Sequence, residues 1–131
     1  MTADSHRALL RWISRLVSIS SIVTVLVLSW VPGDSRPSTG ASNLIEHFVA
    51  YVFTALATLV AFAPPRTIRS ILIGMILLAA IAEIGQNFVP GRQPKVIDFA
   101  AGSAGAVTIT CVFAILRRPR FIARASGQRT S

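Results

Sequence analysis

The chain has 131 residues, 53% of them hydrophobic and only 14% charged, with a mean hydropathy of +0.64. Soluble domains carry about 25% charged residues, so the composition points to a membrane protein and leaves no room for a sizeable soluble domain. Thirteen Lys and Arg against five Asp and Glu give a net charge of +8, which suits an anionic membrane surface or nucleic acid, while one cysteine excludes an intrachain disulfide and a cysteine-based metal cluster.

Four apolar runs follow in order, at residues 13–31, 44–63, 68–89 and 97–116. Each has about the 20 residues that an α-helix needs to cross roughly 30 Å of hydrocarbon. The reading is therefore an all-α integral membrane bundle of four transmembrane helices. Residues 1–12 form a basic amino-terminal segment, and 117–131 a basic, polar tail expected to be poorly ordered. The first run ends in "SWVPGD" with no A-x-A site, so it is expected to remain as an uncleaved helix rather than a signal peptide. Pro and Gly mark the breaks: "VPGDSRPSTGAS" at 31–42, "APPRT" at 63–67 and "VPGRQPK" at 89–95. Cys111 lies within the fourth run, where a small buried thiol is expected.

The charges sort by side. Ten of the thirteen basic residues fall in the amino-terminal region (Arg7, Arg11, Arg15), the 63–67 connection and its edge (Arg66, Arg69) or the tail (Arg117, Arg118, Arg120, Arg124, Arg129). The positive-inside bias then puts both termini in the cytoplasm, in a multi-pass protein of the cytoplasmic membrane. The tail is expected to meet anionic lipid headgroups, with no nucleic acid partner. Asp34, Glu46, Glu83 and Asp98, four of the five acids, fall on or near the outer side, with His47, Gln86, Asn87 and Arg92. Every polar group with catalytic potential thus collects at one end.

Glu83, Gln86 and Asn87 stand at i, i+3 and i+4 and are expected to share a helix face. Glu83 lies six residues before the end of its run, about 9 Å of helix deep, where a carboxylate needs a partner and faces the protein interior. His47 or Arg92 is the expected partner. His47 and Tyr51, one turn apart on the second helix, suit proton transfer or ligand binding. Glu46 lies about 100° round from His47 and complements the helix dipole. Arg92, after Pro90 and Gly91, suits a planar anion. Asp98 opens the fourth helix as a cap, a role compatible with holding Arg92. Gly102 and Gly105 permit close helix approach. There is no P-loop, GxSxG elbow or H-E-x-x-H, and two histidines argue against a histidine-rich metal site. No cofactor or metal is expected, although a hard cation on Glu83 and Asp98 stays open.

Together "EHFVAYVF" (46–53), "EIGQNFVPGR" (83–92) and "DFAAGSAGA" (98–106) resemble the VanZ-like family of small bacterial integral membrane proteins. The match is to its His-Phe-x-x-Tyr, Glu-x-x-Gln with Pro-Gly-Arg, and Asp-led glycine blocks, in that order and spacing. The chain departs from the family at Asn43 and Leu44, where Asp-Lys is usual, and at Gly102, where Asn is usual. The resemblance implies a four-helix membrane protein, some relatives of which are associated with low-level resistance to the glycopeptide teicoplanin. It names a relative rather than a reaction.

Two functions are thus open. One is an outward-facing pocket that binds or modifies a cell-envelope component, with His47 and Glu83 as acid or base. Tyr51, Gln86, Asn87, Arg92 and Asp98 would bind membrane lipid or an anionic, lipid-linked ligand. The other is a non-catalytic interaction protein whose polar cluster is a structural lock.

Overall fold

The computed structural model describes residues 3–35, 40–62 and 67–117, and every regular element among them is helical. The elements are α1 (Ala3–Trp30), a 3-10 turn at Gly33–Ser35, α2 (Asn43–Phe62), α3 (Ile68–Gln86) and α4 (Val96–Leu116). All four α-helices are long and apolar enough to cross a membrane. The tail at 118–131 and the Arg36 and Arg66 positions lie outside the described residues.

Two boundaries differ from the sequence expectation. α1 begins at Ala3, ten residues before the apolar run, because no Pro or Gly occurs before Pro32 to stop it. Its 28 residues span about 42 Å, so the basic first turns continue the spanning helix instead of forming a separate segment. α3 ends at Gln86 rather than near Val89. There the ladder tightens: Phe88 and Val89 donate to the Gly85 and Gln86 carbonyls at 3.1 Å each, and Pro90 restricts the residue before it.

α2 is the hub, packing most extensively on α4 and next on α1. Glycine sets the α2–α4 approach. A Cβ on Gly105 would collide with the Phe48 carbonyl oxygen, and one on Gly102 would stand 2.8 Å from the Tyr51 ring. Both glycines are buried, as small residues at a membrane helix interface should be. Hydrogen bonds join α1 to two of its neighbours. Ser18 Oγ and Thr58 Oγ1 lie 2.9 Å apart between α1 and α2, and Trp30 Nε1 donates to the Ala82 carbonyl at 3.2 Å between α1 and α3. In hydrocarbon such bonds replace the packing that water would otherwise drive.

The core is correspondingly small: Tyr51, Ala55 and Leu59 of α2 meet Met75, Leu78 and Ala79 of α3 and Ala106 of α4. Most large side chains point outward, among them Trp12, Leu16, Val49, Phe53, Ile73 and Ile84. That is the surface a lipid-embedded bundle presents. Cys111 is on it too: the thiol is exposed, not buried. α4 is apolar all round, so hydropathy does not say which of its faces is inside.

Antiparallel neighbours bring four helix ends together: the carboxyl ends of α1 and α3 and the amino ends of α2 and α4. The 31–35 and 90–92 segments touch there, with Gly33 N–H donating to the Pro90 carbonyl at 3.5 Å and Gly91 in the left-handed region at φ 71°, which favours glycine. Among the described residues, Arg7, Arg11, Arg15, Arg69 and Arg117 lie toward the opposite end, while Arg92 and Lys95 lie at the four-ended one. Arg15 lies 5.6 Å from the Phe62 ring centre and Arg117 4.5 Å from that of Phe113, amphipathic packing suited to a membrane edge.

Candidate functional site

The four-ended face holds a buried cluster of acids and one imidazole. Glu83, in the last turn of α3, is about 4.5 Å from the helix end, shallower than the 9 Å expected, because α3 stops at Gln86. It is buried all the same. Its Oε2 accepts the Lys95 backbone N–H at 3.0 Å, and its Oε1 accepts Gln86 Nε2 at 3.3 Å. His47 Nδ1 stands 3.7 Å from the same Oε1, so of the two expected partners it is His47 that faces the carboxylate.

Asp98 completes the group from α4. Ligand atoms of His47, Glu83 and Asp98 all lie within 4.8 Å of one another. Asp98 does not cap its helix: Lys95 occupies the cap position without a side-chain bond, and Asp98 sits three residues further on in the first turn. There its charge complements the amino-terminal dipole while its carboxylate faces a cavity.

Tyr51 lies one turn below His47 on α2, with its ring against Gly102, one turn along α4 from Asp98. Its hydroxyl is buried without a hydrogen-bond partner among the described residues, as are those of Ser103 and Thr110 on α4.

Two expected site residues are placed otherwise. Asn87 is exposed, and its side chain donates to the Ile84 carbonyl of its own helix at 2.9 Å. It is the C-cap of α3 with a helical backbone, φ −60° and ψ −22°, but its amide bonds back to the Ile84 carbonyl instead of turning to Glu83. Arg92 reaches sideways to α1, donating from Nε to the Val31 carbonyl at 2.9 Å and from Nη2 to the Leu28 carbonyl at 2.7 Å. A guanidinium on the last carbonyls of a helix satisfies acceptors that have no partner within the helix. Arg92 thus straps the α3–α4 connection to α1. Glu46, half-buried in the first turn of α2, keeps its place at the amino-terminal dipole.

Two cavities open from the cluster. A polar one of about 550 Å³ is lined by Asn43, His47, Gln86, Arg92, Lys95 and Asp98, with Gly33, Gly91 and Gln93 at its margin. An apolar groove of about 800 Å³ runs between α1 and α2 past Leu16, Val25, Leu28, Val49 and Phe53, and ends at His47, Gln86 and Arg92. Sequence reasoning missed Lys95 and Asn43 as site residues. Asn43 was readable, since Asn43, His47 and Tyr51 repeat every four residues along one α2 face. The role of Lys95 was not, because it is the backbone N–H that reaches Glu83.

The helices and the cluster define a class: an all-α protein of four helices fit to cross a membrane, with a buried histidine–carboxylate group at one end. No protein-family model, curated protein or solved structure matches this chain.

Proposed function

We propose that the chain is a VanZ-like protein of the cytoplasmic membrane whose polar cavity opens outward and binds the head of a lipid-linked cell-envelope component. Both termini lie in the cytoplasm in this reading, because Arg7, Arg11, Arg15, Arg69 and Arg117 lie toward the end opposite the cluster and the sequence adds more arginines in the tail. The observation that carries it is the meeting of two cavities at His47, Gln86 and Arg92, one polar and one apolar. Their joint shape suits an amphiphile. From Leu16 to Ser29 the groove follows α1 for about 20 Å, most of one hydrocarbon core, and the polar head would rest among Asn43, His47 and Asp98. Any chemistry on that head falls to His47 and Glu83, which face each other beside the cavity.

The structural lock is the weaker reading. A lock satisfies its buried groups, and an unpaired one costs about 1–3 kcal/mol. The Tyr51 hydroxyl is left unpaired beside the cluster.

Lipid-resolved native mass spectrometry tests the proposal. Thr24 lines the groove, exposed and away from the polar cluster, so Thr24→Trp should fill the groove and expel a specific lipid that co-purifies with the wild type. A lipid profile that matches bulk membrane in both proteins sinks it. Teicoplanin susceptibility with and without the chain is the cellular phenotype that the family resemblance selects for the same variants. Glu83→Gln and His47→Ala should abolish that phenotype at normal abundance.

A further inference from the structure

The geometry points to a divalent metal site: we propose that His47, Glu83 and Asp98 hold one cation of the Zn²⁺ class, with its open coordination turned to the polar cavity. This goes beyond the ligand reading above and does not depend on an amphiphile.

The distances come first. At 3.7 Å, His47 Nδ1 and Glu83 Oε1 are too far apart for a good hydrogen bond, which needs about 2.7–3.2 Å. They are near the edge of a tetrahedron around an ion with ligands at about 2.1 Å, roughly 3.4 Å. The widest separation in the triad, up to 4.8 Å, closes to that value by about 1.4 Å, within the reach of side-chain rotation. One imidazole and two carboxylates from three helices give three protein ligands, and a fourth position opens toward the cavity. That is how metal sites that take a water or ligand are built.

Charge is the second consideration. Glu83 and Asp98 are each 6% exposed, and two like charges so close in an apolar bundle repel and are poorly solvated. The N–H donors on Glu83 are Gln86 and the Lys95 backbone, while among the described residues no group donates to the Asp98 carboxylate. A doubly charged cation would offset both acids at once. Gln86 and Lys95 N–H would then fix Glu83 from behind, as outer groups around metals do.

An independent observation comes from outside the triad. Tyr51 is 2% exposed and its hydroxyl has no partner. It stands one turn from His47 on α2, and its ring packs on Gly102, one turn along α4 from Asp98. A metal-bound oxygen beside His47, where the apolar groove that Tyr51 lines meets the polar cavity, would supply that hydroxyl with an acceptor. Nitrogen among the ligands favours Zn²⁺ over Mg²⁺ or Ca²⁺, which prefer all-oxygen sets.

The test uses the full chain in detergent, stripped with chelator and reloaded with Zn²⁺, its metal measured by elemental mass spectrometry. The expected result is one Zn²⁺ per chain. Asp98→Asn and His47→Ala should weaken binding by more than about 100-fold, since even outer-group losses cost about 10- to 100-fold, and Asn87→Ala should bind as the wild type does. If the ligand variants misfold, Co²⁺ loaded into the wild type should give the visible bands of a low-symmetry site. His47→Cys in a Cys111→Ser background should add a thiolate-to-cobalt absorption. Absence of stoichiometric Zn²⁺ in the wild type overturns the proposal. So does binding that a folded Asp98→Asn protein retains in full.

Discussion

Replacing Gly105 with alanine tests the packing that brings the cluster together. Gly105 lies on α4 where a Cβ would strike the carbonyl oxygen of Phe48, the residue after His47 on α2. The obstacle is backbone, so relief requires moving a helix rather than turning a side chain. Overpacking of this kind costs about 1–3 kcal/mol, against a gain of about 1 kcal/mol for putting Ala in place of Gly in a helix. Gly74 on α3 supplies the reference, because a Cβ there meets nothing within 4 Å. Gly74→Ala should therefore stabilise by about 1 kcal/mol. The propensity gain cancels between the two variants, so their difference isolates the collision at about 1–3 kcal/mol. Equilibrium unfolding by SDS in mixed micelles reads it through tryptophan fluorescence, with Trp30 reporting on the site end through its bond to Ala82. Gly105→Ala should also part Asp98 from His47 and weaken any ligand that needs both. If Gly105→Ala stabilises as much as Gly74→Ala does, the close α2–α4 approach is not what aligns the site.

Two further outcomes are expected. A double-mutant cycle on Ser18→Ala and Thr58→Val should give a coupling of about 0.6 kcal/mol, at most about 1.7, in the same unfolding assay, and no coupling would remove that hydrogen bond from the α1–α2 interface. In a Cys111→Ser background, Gln93→Cys should react with an impermeant maleimide on intact cells and Ser5→Cys only after permeabilisation; the opposite pattern reverses the proposed orientation.

The four helices were legible because each is an apolar run of spanning length bounded by Pro or Gly. The meeting of His47, Glu83 and Asp98 was legible as a shared end, through helix direction and chain order. Other features depended on quantities that a pattern does not carry. The start of α1 was hidden because helix continues through polar residues as readily as apolar ones when no breaker intervenes. Asn87 misled because at a helix end a side-chain amide can bond a carbonyl of its own last turn, as Asn87 does with Ile84, and spacing does not report that competition. Arg92 found its acceptors more than 60 residues away, at a helix end whose free carbonyls give no sequence signal. Cys111 lies on a helix that is apolar on every side, where periodicity has nothing to report.

Two side-chain straps of the bundle also separate support from site. Arg92 on α1 and Trp30 on Ala82 each join a side chain to backbone carbonyls, so both would hold the helix ends whatever lay between them. His47 and Asp98 differ in kind, since with Glu83 they bring ligand atoms within 4.8 Å of one another although neither side chain closes a hydrogen bond among the described residues. An arrangement made only for stability would lower its energy by closing those gaps or by substituting apolar groups of similar size, often at no cost to folding. Here the polar cavity lies at the joined helix ends, with Asp98 on its lining and Glu83 buried beside it. That division of labour is why Glu83→Gln, which keeps the shape and removes the charge, discriminates better than truncation. A supporting role predicts lower abundance of folded protein, whereas a binding role predicts normal abundance with ligand lost.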